Sequence, residues 1–123
     1  MSNTLSFYVT DPAISADFYA RVLGRPAVQQ SPTFAMFILD SGLALGLWQK
    51  DGVLPAPADL PGACDLGFKV DHARIEAMHA EWRDMGVKIL MPPTDQDFGN
   101  SFVAADPDGH RLRVYALAEE AAA

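Results

Sequence analysis

Cysteine is nearly absent from this sequence and basic residues are scarce. The one cysteine, Cys64, cannot close a disulfide within the chain, so nothing implies an oxidising compartment. A catalytic thiol needs a base beside it, and His72 is near only in sequence, which leaves Cys64 as a small buried or half-buried filler. Lys and Arg number 9 against 16 Asp and Glu, a formal charge of −7, and no basic run exists to grip phosphates. Nucleic acid is excluded as a natural partner. No segment approaches the roughly 18 consecutive apolar residues of a membrane-spanning helix. The N-terminus MSNTLSFYVTD lacks the basic region and apolar stretch of a targeting segment. No membrane partner is expected, and the reading is of a cytoplasmic, soluble protein.

What is present is a hydrophobic half, enough to bury one core in a chain of 123 residues, and a single domain over 1–123 is expected. Thr4 to Val9 alternates as a strand does, with Leu5, Phe7 and Val9 on one face and Thr4, Ser6 and Tyr8 on the other. After Asp11-Pro12, the residues Ile14, Phe18, Tyr19, Val22 and Leu23 fall at helical spacing, with Asp11 or Ser15 as the cap, until Gly24 and Pro26 end the run. Phe34 to Leu39 and Leu43 to Trp48 then read as a hairpin around Asp40-Ser41-Gly42. A stretch without periodicity from Asp51 to Gly62 is the natural linker.

Beyond it the order repeats. Leu66, Phe68 and Val70 alternate. A helix is predicted from about His72 to Asp84, with Trp82 in the core among Ile75, Met78 and Met85. Val87 to Met91 reads as a strand, Asp95 to Phe98 as a loop, and Phe102 to Ala105 and Arg111 to Ala116 as strands joined by Asp106-Pro107-Asp108-Gly109. The fold class predicted is α+β: two β-α-β-β-β repeats, about 1–50 and 63–118, forming curved antiparallel sheets around a cleft with the helices outside.

Val9-Thr10-Asp11, Ser15, Phe18-Tyr19 and Leu23-Gly24 resemble the V-x-D…S…F-Y…L-G opening of the vicinal-oxygen-chelate superfamily, which includes glyoxalases, bleomycin-resistance proteins and extradiol dioxygenases. Asp106-Pro107-Asp108-Gly109-His110 resembles its closing turn. The two motifs bracket nearly the whole chain. The resemblance implies that Phe18 and Tyr19 lock a helix to its sheet and that Gly109 takes a positive φ.

Enzymes of the superfamily hold a divalent metal with His and Glu at fixed strand positions. Placed on the motifs, those positions are Thr4, Gly46, Asp65 and Arg113. One carboxylate, one weak hydroxyl, no side chain and a permanent cation do not make a transition-metal site. His72, His79 and His110 are read as surface or capping residues. No metal and no cofactor are expected.

The combination of Leu45-Gly46-Leu47-Trp48, Phe98-Gly99 with Phe102, and the closing turn followed by Arg113-Val114 is most similar to the phenazine-antibiotic resistance type within the superfamily. That resemblance implies a planar ligand stacked on Trp48 and a homodimer. Alternation supports it independently, because Ala44, Gly46 and Trp48 share one face while Leu43, Leu45 and Leu47 share the other. Small Ala44 and Gly46 are expected to leave room beside the indole. By the same parity Tyr8 and Tyr115 line the cleft, and Ser101 and Phe102 its entrance. Arg113 either pairs with Asp65 or takes the carboxylate of a bound aromatic acid. The expected function is therefore metal-independent binding and sequestration of a planar hydrophobic molecule such as an antibiotic. The alternatives are a metal-dependent lyase, isomerase or dioxygenase, and a metal-free enzyme with Asp65 or Tyr8 as general base.

Overall fold

The computed structural model describes residues 3–57, 60–62 and 64–118, so Ala58 and Asp59 of the predicted linker lie outside the described residues. The chain divides into two compact units, Met1–Pro61 and Gly62–Ala123, and the boundary falls at the end of the stretch without periodicity. No helix among the described residues is long and apolar enough to cross a membrane.

The first unit contains β1 (Thr4–Val9), α1 (Pro12–Leu23), β2 (Gln29–Gln30), β3 (Phe34–Ile38) and β4 (Ala44–Gln49). The second contains β5 (Asp65–Lys69), α2 (Ile75–Asp84), β6 (Lys88–Gln96), β7 (Gly99–Ala105) and β8 (Arg111–Leu117). The sheet orders are β1-β4-β3-β2 and β5-β8-β7-β6, the same topology twice, as the repeat predicts. Each sheet is mixed: β1 runs parallel to β4 and β5 to β8, while the remaining pairs are antiparallel. The helix carries the chain back so that the strand after it runs parallel to the first, and the two hairpin reversals that follow cancel, so the last strand of each unit also runs in the direction of the first.

Asp11 caps α1 by accepting a hydrogen bond from Ala13 N at 2.9 Å, and Pro12 occupies the first turn, where its missing N–H costs nothing. Tyr19 is fully buried, with its ring 6.5 Å from Phe7, 5.1 Å from Phe18 and 6.3 Å from Phe37, and it fastens the helix to the sheet. Ile14, expected on the buried stripe, is exposed instead. The stripe runs through Pro12, Ser15, Ala16, Phe18 and Tyr19, and Ser15 takes the place against the sheet.

In the second unit a 3-10 turn, His72–Arg74, leads into α2, whose Ile75 and Trp82 are buried. Trp82 meets Phe68 and Phe102 edge to face at 6.2 and 5.3 Å, the core position predicted for it. The β6–β7 hairpin departs from expectation. Asp95 and Gln96 are strand residues rather than loop, and β6 runs nine residues with register shifts between Ile89 and Met91 and between Met91 and Thr94. Those irregularities break the alternation on which strand length is judged. β2 was hidden for a related reason, since two glutamines carry no alternation. Cys64 is exposed, not a filler; its carbonyl accepts from Arg111 N at 2.8 Å, and its thiol donates to Asp65 O at 4.0 Å.

The closing turn is organised by Asp106. Its Oδ1 accepts from Asp108 N at 2.9 Å and His110 N at 2.8 Å, and its Oδ2 lies 2.8 Å from His110 Nδ1. Gly109 takes φ +87°, as the resemblance implies. His110 is buried and serves the turn, not the surface. Asp106→Ala removes the acceptor of these three contacts from a turn whose ends, Asp106 and His110, are buried. A hydrogen bond lost at a buried position costs about 1–3 kcal/mol, and a loss of at least about 2 kcal/mol in urea unfolding is expected. Asp106→Asn, which keeps the shape and one acceptor, is expected to lose less.

Candidate functional site

Both sheets put one face under a helix, and the residues with chemical interest lie on the other. In the first unit, Leu45, Leu47, Phe7, Val9, Ala35 and Phe37 go under α1 and are buried. The opposite face carries Tyr8, Trp48 and Phe34 side by side, because Tyr8 pairs with Trp48 across β1–β4 and Phe34 pairs with Trp48 across β3–β4. Trp48 and Phe34 meet edge to face at 6.3 Å. Trp48 is 36% exposed on a strand whose other residues are mostly buried, and Tyr8 is 38% exposed on β1, where Thr4 and Ser6 of the same face are exposed too, so two large aromatic side chains remain in part accessible.

The expected gap beside the indole is filled. A Cβ at Gly46 would lie 2.9 Å from Ser6 Oγ and 3.1 Å from Phe34 Cε1, so Gly46 is the seat of the Phe34 ring rather than open space. Phe34 was not singled out from sequence. Its parity with Met36 and Ile38 was available, but its place opposite Trp48 needed the hairpin register, which a turn of uncertain length does not set.

In the second unit the centre is Arg113. Its Nε donates to Asp65 Oδ2 at 3.4 Å, and its Nη1 to Gln96 Oε1 at 3.4 Å and Ser101 Oγ at 3.3 Å. The Ser101 hydroxyl in turn donates to Gln96 Oε1 at 2.6 Å. Ser101 is fully buried, whereas the Asp65 side chain is 46% exposed, so the ion pair is a partly solvated one of modest strength. Tyr115 lies on the same face, opposite Ser101 and Lys69, with its Cε1 3.3 Å from where a Cβ of Gly67 would be. Phe98 meets Tyr115 edge to face at 6.3 Å. Gln96, assigned to a loop from sequence, is thus a member of this cluster.

Phe102 is not. Adjacent strand residues point to opposite faces, so Ser101 and Phe102 cannot both line one surface; Phe102 is fully buried beneath α2 against Trp82 and His79. Of the predicted residues, Tyr8, Gly46 and Trp48 share one face of the first sheet. Asp65, Ser101, Arg113 and Tyr115 share one face of the second.

The positions at which the resemblance places metal ligands do not fit a metal. Gly46 offers no donor, and the one carboxylate, Asp65, is paired to the Arg113 guanidinium. Among the described residues, no three His, Cys, Asp or Glu side chains come together in a way that would hold an ion.

Residues 2–114 match the family model of the Glyoxalase/Bleomycin resistance protein/Dioxygenase superfamily. The chain belongs to this superfamily. One relative within reach of sequence comparison is the phenazine antibiotic resistance protein EhpR of Enterobacter agglomerans, 25% identical over 114 residues, which are 89% of this chain and 87% of that one. A protein of Agrobacterium tumefaciens, solved by solution NMR, is 41% identical, with a TM-score of 0.85 over 96% of this chain and 98% of that one. A superfamily member from Nocardioides, at 22% identity, shares the fold with a TM-score of 0.81 over 95% of this chain and 83% of its own.

Proposed function

We propose that this superfamily member binds and sequesters a planar hydrophobic small molecule of the antibiotic type, without a metal, as a cytoplasmic homodimer. The observation that carries the reading is the row Tyr8–Trp48–Phe34, three aromatic residues in register on the sheet face away from α1. A flat ring system laid on such a row gains burial and, for each well-placed aromatic partner, about 0.5–1.5 kcal/mol more. Similarity to a protein named for phenazine antibiotic resistance supports the ligand class. The poor donor set at Thr4, Gly46, Asp65 and Arg113 supports metal independence, and Arg113 would repel a cation.

Fluorescence tests this directly, since the chain has two tryptophans and only Trp48 is accessible, Trp82 being 3% exposed. Metal-stripped protein titrated with phenazines, bleomycin and aromatic acids is expected to show saturable quenching by at least one planar ligand, and Trp48→Ala to abolish it. Binding that returns only on addition of a divalent ion would instead favour a lyase, isomerase or dioxygenase. Sedimentation equilibrium checks the dimer, for which a mass twice that of the protomer is expected.

A further inference from the structure

Charge is divided unevenly between the two sheets. On the face away from α1, every strand residue of β1, β3 and β4 is uncharged. On the face away from α2, the register places Lys69, Lys88, Arg111 and Arg113 together, four of the nine Lys and Arg in a chain whose net charge is −7. Asp65 is the single Asp or Glu in the paired strand positions of that face. A cationic surface on an acidic protein selects anions locally while the remainder of the molecule repels them.

The hydrogen bonds show where an anion would be held. Gln96 Oε1 accepts from both the Ser101 hydroxyl and Arg113 Nη1, which fixes the amide orientation and leaves Nε2, with its two hydrogens, pointing away from that cluster. Arg113 spends Nε on Asp65 and Nη1 on Gln96 and Ser101. Among the described residues neither Gln96 Nε2 nor Arg113 Nη2 donates to a partner. Two donor groups, one of them cationic, are therefore left available on neighbouring side chains, with the Tyr115 ring on the same face. A carboxylate is planar, singly charged and accepts on two oxygens, which suits such a pair.

We infer that this face of the second sheet binds the carboxylate of an aromatic acid through Arg113 and Gln96, with Tyr115 beside its ring. The inference rests on the reading of the protein as a binder of planar aromatic molecules and narrows that class to acids. Asp65 is the internal competitor. Its bond to Arg113 is long and its side chain half exposed, so an incoming carboxylate displaces it at small cost.

The test measures binding of phenazine-1-carboxylate and of its methyl ester by equilibrium dialysis, with the Trp48 quenching of the proposed function recorded separately, and follows the Arg113 Nε–H signal by NMR, assigned through its loss in Arg113→Lys. The acid is expected to bind about tenfold more tightly than the ester. Asp65→Asn is expected to tighten the acid severalfold and leave the ester unchanged, which a purely structural ion pair would not do. Gln96→Glu, which replaces the amide donors with a negative charge, is expected to bring the acid down to the ester. Equal binding of acid and ester, with quenching intact, overturns the inference and leaves the proposed function standing. If neither ligand quenches, the proposed function fails, and benzoate titrated against the Arg113 signal decides the rest. A saturable shift from benzoate supports the carboxylate site; no shift, or an equal shift from inorganic phosphate, overturns it.

Discussion

Gly99→Ala is expected to lower the urea midpoint of the protein sharply, by the equivalent of about 3 kcal/mol or more. Gly99 begins β7 immediately after the β6–β7 turn and takes φ +150°, a region L-residues occupy at a cost of about 1–3 kcal/mol. Strain is the smaller part. A Cβ there would lie 2.0 Å from Ala116 O, 2.8 Å from Ala118 N and 3.0 Å from Ala116 C, all backbone atoms of the β8 end. No rotamer change relieves a clash with backbone, so β8 must move by about 1 Å or the hairpin must open. Either response disturbs Gln96 and Ser101, which flank the turn and hold the Arg113 guanidinium. Gly109→Ala supplies the comparison, because Gly109 has φ +87° but no atom within 4 Å of its would-be Cβ. Its cost is expected to be about 1 kcal/mol, the backbone contribution alone. Equal losses in the two variants would show that the contact at Gly99 is relieved without consequence.

The difference between those glycines also marks what the sequence makes legible. Gly109 sits in a turn that its own neighbours, Asp106 and Pro107, announce. The demand at Gly99 comes from Ala116 and Ala118, some seventeen residues and more away, and no local signal reports it. The same boundary runs through the site. Tyr8 and Trp48 were placed on the correct face by alternation within their own strands, and the Arg113–Asp65 pair by the chemistry of a guanidinium that needs a counter-charge. Phe34 over Gly46, and Gln96 on Ser101, are relations between strands. They depend on hairpin register, and on the shifts in β6 that a count of residues does not reveal. Phe102 failed for the converse reason: its own parity against Ser101 excludes it from the surface that Ser101 lines, although the resemblance carried by Phe98-Gly99 and Phe102 put it there.

The two tryptophans are expected to separate stability from function most cleanly. Trp82→Ala removes a side chain of α2 that is 3% exposed and meets Phe68 and Phe102 edge to face. Truncation of a buried tryptophan costs about 3–5 kcal/mol through lost transfer energy and the cavity left behind. That is a large part of the 5–15 kcal/mol that holds a typical small domain. The variant should unfold at markedly lower urea concentration and show weak near-ultraviolet circular dichroism at 37 °C. Trp48→Ala removes an indole that is 36% exposed on the face away from α1, so little of the core changes and its stability should stay within about 1 kcal/mol of the parent. Ligand binding should follow the opposite order. At low temperature, where folded Trp82→Ala persists, its ligand affinity should match the parent, while Trp48→Ala, fully folded, should not bind. A Trp48→Ala protein that unfolds as readily as Trp82→Ala would mean that the aromatic row braces the sheet rather than waiting for a ligand, and the proposed function would lose the observation that carries it.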